Sequence, residues 1–217
     1  MKPLSTFAKY IGLFMAIIAG LILLRVMLTG SIRYVSLGWN IFLAWIPYML
    51  SCYFEHYQKK AYWKQVVLFA SWLLFFPNAL YIVTDLVHLR TPSHVPWYYD
   101  AMLLFSAAFA GLLLAFVSLK NTEQFLRSIF STRSVRILIP ALLFLGSYGV
   151  YLGRFERWNS WNVVNDPFAL TKSILKSVSN PIEHYNVWAI TVLFTLVYSL
   201  LYYSINILLQ AQKNTGR

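Results

Sequence analysis

The chain has 217 residues, 59% of them hydrophobic and 12% charged, with a single cysteine and a formal net charge of +11. So apolar a composition excludes an ordinary soluble domain, and one cysteine excludes an intrachain disulfide or a cysteine-based metal cluster. The positive charge does not describe a nucleic-acid surface. The Lys and Arg residues fall in short gaps between apolar runs, where a membrane protein keeps them. Membrane lipids are the expected partners and nucleic acid is not; protein partners and oligomeric state are left open.

Six apolar segments, about 7–28, 34–54, 62–86, 98–119, 135–153 and 185–209, are each near the length that crosses a hydrocarbon core. They describe an all-α, polytopic six-helix membrane bundle, a single transmembrane domain over 1–217. The first run follows Lys2 and Lys9 as in a signal peptide, but no small-x-small cleavage site follows it, so it reads as an uncleaved span. Arg25 is expected to snorkel at its end. Lys2, Lys9, Lys59, Lys60, Lys64, Lys120, Arg127, Arg133, Arg136, Lys213 and Arg217 fall on one side of these spans, and seven other Lys and Arg residues on the opposite side. That excess places both termini in the cytoplasm. Asp85, Asp100, Glu156, Asp166 and Glu183, with His88, His94 and His184, then lie toward the outer side. Proton chemistry is therefore expected at the outer face.

The stretch FFPNALYIVTDLVHL (75–89) places a proline, an amide, a carboxylate and an imidazole in a membrane-spanning pattern. On a continuous α-helix Asn78, Tyr81, Asp85 and His88 would share an arc of under about 90°. Ionisable groups at such depth are costly unless they face protein or water, so the stripe should face inward and serve function. Pro77 would leave the Leu73 carbonyl without its helical partner and kink the helix beside Asn78. Asp85 and His88, three apart, suit proton relay or joint ligation of a metal. With His94, Asp100 and His184 they supply the donors of an Asp/His metal site, yet there is no HExxH and no named metal spacing. Metal and cofactor are left open. The bland readings are an arginine partner for Asp85, an N-terminal helix position for Asp100, and an exposed loop for His94.

GRFERWNSWN (153–162) is the second polar concentration. If the helix persists there, Arg154, Arg157 and Trp161 share a face. Arginine forks suit phosphate or carboxylate, and tryptophan suits sugars or the headgroup region. An interfacial anchor would use the same residue types, but Glu156 and Asn159 favour a site. Trp97, Tyr98 and Tyr99 read as an interfacial belt, and Ala107 with Gly111 as a close-packing pair. Asp166-Pro167 opens, and Asn180-Pro181 closes, a helix of about 167–179 expected to lie on the outer leaflet, as a lid or a tie for its loop.

The PNA-Y-x-x-TDL-x-H and GRF-x-RWNSW strings resemble an uncharacterised bacterial integral-membrane family, domain of unknown function 1361. The resemblance covers spans two to six and implies a bacterial cytoplasmic-membrane protein; it carries no catalytic roles. The residues themselves suggest an enzyme acting at the outer face on a lipid or anionic lipid-linked envelope substrate. Asp85, His88, Asp100 and Glu156 are the catalytic candidates, and Asn78, Tyr81, Arg154, Arg157, Asn159 and Trp161 the binding candidates. The alternatives are an accessory or assembly subunit, or a small carrier or flippase lined by Asn40, Asn78 and Asp85. The carrier is disfavoured because the inner half offers only Asn206 and a few hydroxyls.

Overall fold

The computed structural model describes residues 2–57, 61–90 and 95–215, with side chains left aside at 2–5, 90, 164 and 213–215. Regular structure among them is helical throughout: α1 (Lys2–Thr29), α2 (Val35–Cys52), α3 (Phe54–Tyr57), α4 (Tyr62–Tyr81), a 3₁₀ helix (Ile82–Arg90), α5 (Trp97–Arg127), α6 (Thr132–Phe155), α7 (Asn162–Asn165), α8 (Pro167–Ser179) and α9 (Tyr185–Thr215). Six helical stretches are long and apolar enough to cross a membrane. The sequence places all six, and the helices run a few residues beyond most of the expected ends, chiefly at 119–127.

The chain divides into two compact units, Met1–Thr122 and Glu123–Arg217. In the first, α2 packs most extensively on α4. Trp72, fully buried on α4, donates from Nε1 to Ser118 Oγ at 2.7 Å, and Ser118 donates onward to the Pro47 carbonyl at 2.9 Å. This relay ties α4, α5 and α2 at one level without stranding a polar group in the apolar core. Gly111 of α5 permits a close backbone approach: a Cβ there would meet the Ala79 carbonyl oxygen at 2.8 Å and Ile82 at 3.1 Å. The small-residue pair therefore works as expected, bringing α5 against the last turn of α4.

That last turn is where the expected geometry fails. The α-helix ends at Tyr81, and the chain continues as nine residues of 3₁₀ helix. Such a run is long for a geometry usually confined to three or four residues. Three β-branched or hydroxyl residues, Ile82, Val83 and Thr84, open it, and the Thr84 hydroxyl takes the Tyr81 carbonyl at 2.6 Å. The stripe from Asn78 to His88 is thus no single α-helical face. With three residues per turn, Asp85 and His88 instead eclipse on one edge of the 3₁₀ helix.

In the second unit α6 packs most extensively on α9. Phe144 and Tyr148 of α6 stack on Trp188 of α9, with ring centroids 6.4 and 5.6 Å away. The Ser131 side chain caps α6 by accepting from Ser134 N–H, and Asp166 caps α8 by accepting from Ala169 N–H at 3.2 Å. With Asp166 as cap and Pro167 at the first position, α8 runs over the residues expected to be helical, Pro167–Ser179.

Candidate functional site

Asp85 is the centre of the first unit's polar site. It is 4% exposed, and a carboxylate so enclosed needs partners. Asn40 of α2 donates from Nδ2 to Asp85 Oδ2 at 2.8 Å. His88, one 3₁₀ turn on, holds Nε2 3.9 Å from Asp85 Oδ1. That distance is ion-pair reach and too long for a hydrogen bond. The imidazole side chain is 45% exposed, while that of Asp85 is 6% exposed. The couple therefore joins an enclosed, amide-held carboxylate to a group that meets the outside. From the preceding loop, Tyr34 OH donates to the His88 carbonyl at 3.4 Å. Burial, followed by the charge of Asp100, holds the Tyr34 phenol above its ordinary pKa. It remains a proton donor at neutral pH.

Asn78 and Tyr81 do not extend this couple as an aligned stripe. Both lie on α4, and the Asn78 amide turns back to the Phe75 carbonyl at 3.0 Å. Pro77 sits inside α4, and the side chain that follows it, Asn78, donates to the Phe75 carbonyl of the same helix.

Asp100 occupies the first turn of α5, the N-terminal helix position expected for it, and is 3% exposed; the sequence named no partner for it. Arg25 does not snorkel. It is 2% exposed and grips Asp100 through a fork, Nε to Oδ1 at 2.7 Å and Nη2 to Oδ2 at 3.2 Å. The Tyr34 ring covers the guanidinium at 4.3 Å. Tyr99 turns inward too, donating from OH to the Leu21 carbonyl at 2.6 Å, whereas Trp97 and Tyr98 face outward as belt residues do. A bidentate, aromatic-covered pair of this kind neutralises both charges and leaves neither group poised for exchange.

In the second unit the helix does not persist through 153–162. α6 ends at Phe155, and Arg157 has φ +61°, a left-handed conformation uncommon away from glycine. Arg154 and Arg157 therefore do not share a helical face with Trp161, which lies just before α7 and is 40% exposed. Arg157 is exposed and Arg154 half-buried. Glu156 is held from two directions, by the Ser173 hydroxyl of α8 and by Trp158 Nε1 at 3.1 Å. The Asn159 backbone N–H donates to the Asn162 side chain at 2.7 Å, shaping the turn into α7.

Sequence reasoning missed a third carboxylate. Glu123, 8% exposed on α5, accepts from Tyr202 OH of α9 at 2.6 Å and from Arg127 at 2.7 and 3.0 Å. Asn206, half-buried on α9, donates to the Tyr202 carbonyl at 2.9 Å. The half expected to hold only Asn206 and hydroxyls thus contains a carboxylate bonded to a guanidinium and a phenol. The i,i+4 spacing of Glu123 and Arg127 was a visible signal for it; the Tyr202 contact was not. Among the described residues no group of three His, Cys, Asp or Glu side chains gathers as a metal site. His94 lies outside the described residues, and His184 Nε2 is buried with no hydrogen-bond partner among them, as are Ser147 Oγ and Thr191 Oγ1. A groove of about 530 Å³ between α1 and α2 is lined by apolar side chains such as Met15, Ile41, Phe42 and Trp45, and offers no reactive group.

Neither a curated protein nor a solved structure matches the chain. One protein family does, over residues 39–201, a range that includes Asn40, Asp85, His88, Asp100 and Glu156 but not Arg25. The match covers most of the chain, which therefore belongs to the family described as a protein of unknown function, DUF1361.

Proposed function

We propose that this multi-pass protein sits in a bacterial cytoplasmic membrane with both termini in the cytoplasm. Its Asp85–His88 couple performs acid–base chemistry at the outer face on a lipid or lipid-linked envelope substrate. The observation that carries this reading is the asymmetry of the couple: an enclosed carboxylate fixed by Asn40, beside an imidazole that is 45% exposed. Histidine changes charge near neutral pH and is the commonest proton-transfer group, provided that substrate can reach it. Asn78 and Tyr81 are the proposed substrate contacts nearest in sequence. Asp100 and Glu156, each already engaged, serve as positioning groups within their own units, Asp100 holding α5 to α1 and Glu156 holding the end of α6 to α8. Arg154, Arg157, Asn159 and Trp161 are proposed as headgroup contacts on residue chemistry alone. α8 belongs to the same outer side.

A second reading is favoured by one specific observation. The Arg25–Asp100 fork is closed on itself, as expected of an accessory or assembly subunit whose polar groups only hold helices together. Envelope lipid and precursor profiling of a deletion strain separates the two. Complementation by Asp85→Asn or His88→Ala at wild-type protein levels restores the profile if the subunit reading holds and fails to restore it if the couple is catalytic.

A further inference from the structure

α8 has one packed face and one open face, and the open face carries large apolar groups that water would not select. At about 100° per residue, Leu170, Ser173, Ile174 and Ser177 gather on one side and are buried or half-buried, whereas Phe168, Lys172, Leu175, Lys176 and Val178 gather on the other and are exposed. The packed side carries two hydroxyls, Ser173 and Ser177, beside Leu170 and Ile174, while Thr171 and Ser179 are exposed. Ser173 donates to the Glu156 carboxylate, Ser177 Oγ shares a 2.7 Å hydrogen bond with Tyr148 OH, and Trp188 Nε1 donates to the Ser177 carbonyl at 3.2 Å. The open side carries large apolar groups, with Phe168 88%, Leu175 58% and Val178 54% exposed.

We infer that α8 is a binding element for anionic phospholipid. Its open face beds into the boundary between headgroups and acyl chains, and Lys172 and Lys176 contact lipid phosphate. The inference rests on the membrane placement proposed above and not on the acid–base chemistry of Asp85 and His88.

Three observations fix the occupant as lipid. The first is depth. Tyr148 lies seven residues inside α6 from its end at Phe155, about 10 Å at 1.5 Å per residue, and Trp188 lies three residues inside α9, about 5 Å. By bonding to both, Ser177 draws the C-terminal part of α8 below the ends of the two helices that flank it. That is the depth of about 5–10 Å at which interfacial helices rest. The second is charge. Residues 167–179 contain two lysines and no acid, so the open face is cationic. Lysines at an anionic membrane surface are attracted to its phosphates. The third is arrangement. On the helical wheel Lys172 and Lys176 lie within about 80° of Phe168 on one side, and Leu175 and Val178 lie within about 80° of it on the other. An apolar arc edged by cations fits a surface that is apolar below and phosphate-lined above.

The test uses the full chain with Cys52→Ser and one new cysteine carrying a polarity-sensitive fluorophore. The protein is reconstituted in phosphatidylcholine vesicles with or without phosphatidylglycerol. Leu175→Cys probes α8, and Leu193→Cys, at an exposed site within α9, reports membrane insertion. The expected result is quenching of both labels by nitroxide lipids, with aqueous iodide reaching neither. Phosphatidylglycerol should bind through α8, and Lys172→Gln with Lys176→Gln should weaken that binding about tenfold or more. Both lysines are exposed, so this double change leaves the fold intact. A Leu175 label quenched by iodide overturns the inference. So does one shielded from both quenchers, which would place a protein against α8, or lipid affinity that ignores the double change. If the Leu193 label also escapes the lipid quencher, the membrane placement has failed and the inference falls with it.

Discussion

Two buried carboxylates in the first unit, Asp85 and Asp100, are exposed to nearly the same small extent and are held in opposite ways. Asp100 meets a guanidinium through two hydrogen bonds under an aromatic lid. Asp85 meets a neutral amide and, at 3.9 Å, an imidazole that is itself half open. The first arrangement closes a carboxylate against an opposite charge; the second joins a carboxylate to a side chain that reaches the outside. Burial alone therefore does not identify a working acid. The partner does, and the two sites should answer mutation differently.

The largest expected effect is at the closed pair. Arg25→Met or Asp100→Leu leaves one buried charge unanswered and should cost roughly 3–5 kcal/mol. The combined Arg25→Met, Asp100→Leu change should recover most of that loss, because it removes both charges. Thermal unfolding in detergent measures all three. A double variant no better than the singles would break the view that Asp100 is merely neutralised. Next comes Asn40→Leu, which removes the amide from Asp85. Hydrogen bonds to charged groups contribute about 1.5–3 kcal/mol, and the same assay should report a loss in that range together with impaired complementation.

Gly111→Ala sharpens the comparison from the backbone side. The added methyl meets the Ala79 carbonyl oxygen at 2.8 Å and Ile82 at 3.1 Å, where α4 gives way to the 3₁₀ helix bearing Asp85. Overpacking of this kind costs about 1–3 kcal/mol. Amide hydrogen exchange should rise across residues 82–90 more than around Arg25. The smallest effect belongs to Tyr34→Phe. It keeps a ring over Arg25 and loses a 3.4 Å hydrogen bond to the His88 carbonyl together with a minor hydroxyl interaction with Asp100. Less than about 1 kcal/mol is expected at that length. A larger loss would mean that the Tyr34 hydroxyl holds the 3₁₀ helix in place.

The limits of the sequence follow the same division between local and distant. Six long hydropathic runs, the Asp166-Pro167 start of α8 and the pairing of Asp85 with His88 are local properties, and periodicity or capping chemistry exposes them. The 3₁₀ helix was hidden because residues three apart are neighbours in an α-helix as well, so the spacing of Asp85 and His88 fits either form. Arg25 and Asp100 are 75 positions apart, and Glu123 and Tyr202 are 79 apart. No pattern along the chain links such pairs, and a lone arginine at the end of an apolar run looks like a snorkelling one. The stop of α6 at Phe155 has Gly153 two residues before it, but the left-handed turn falls on Arg157, where no glycine marks it.

Asp85→Asn tests the contrast most directly, because it removes a charge while keeping a side chain that can still accept from Asn40. Expressed beside Asp100→Asn in the deletion strain, it should fold with an unfolding midpoint close to wild type yet fail to restore the envelope lipid profile, while Asp100→Asn should lose stability first. A stable Asp85→Asn protein that restores the profile in full would contradict the account.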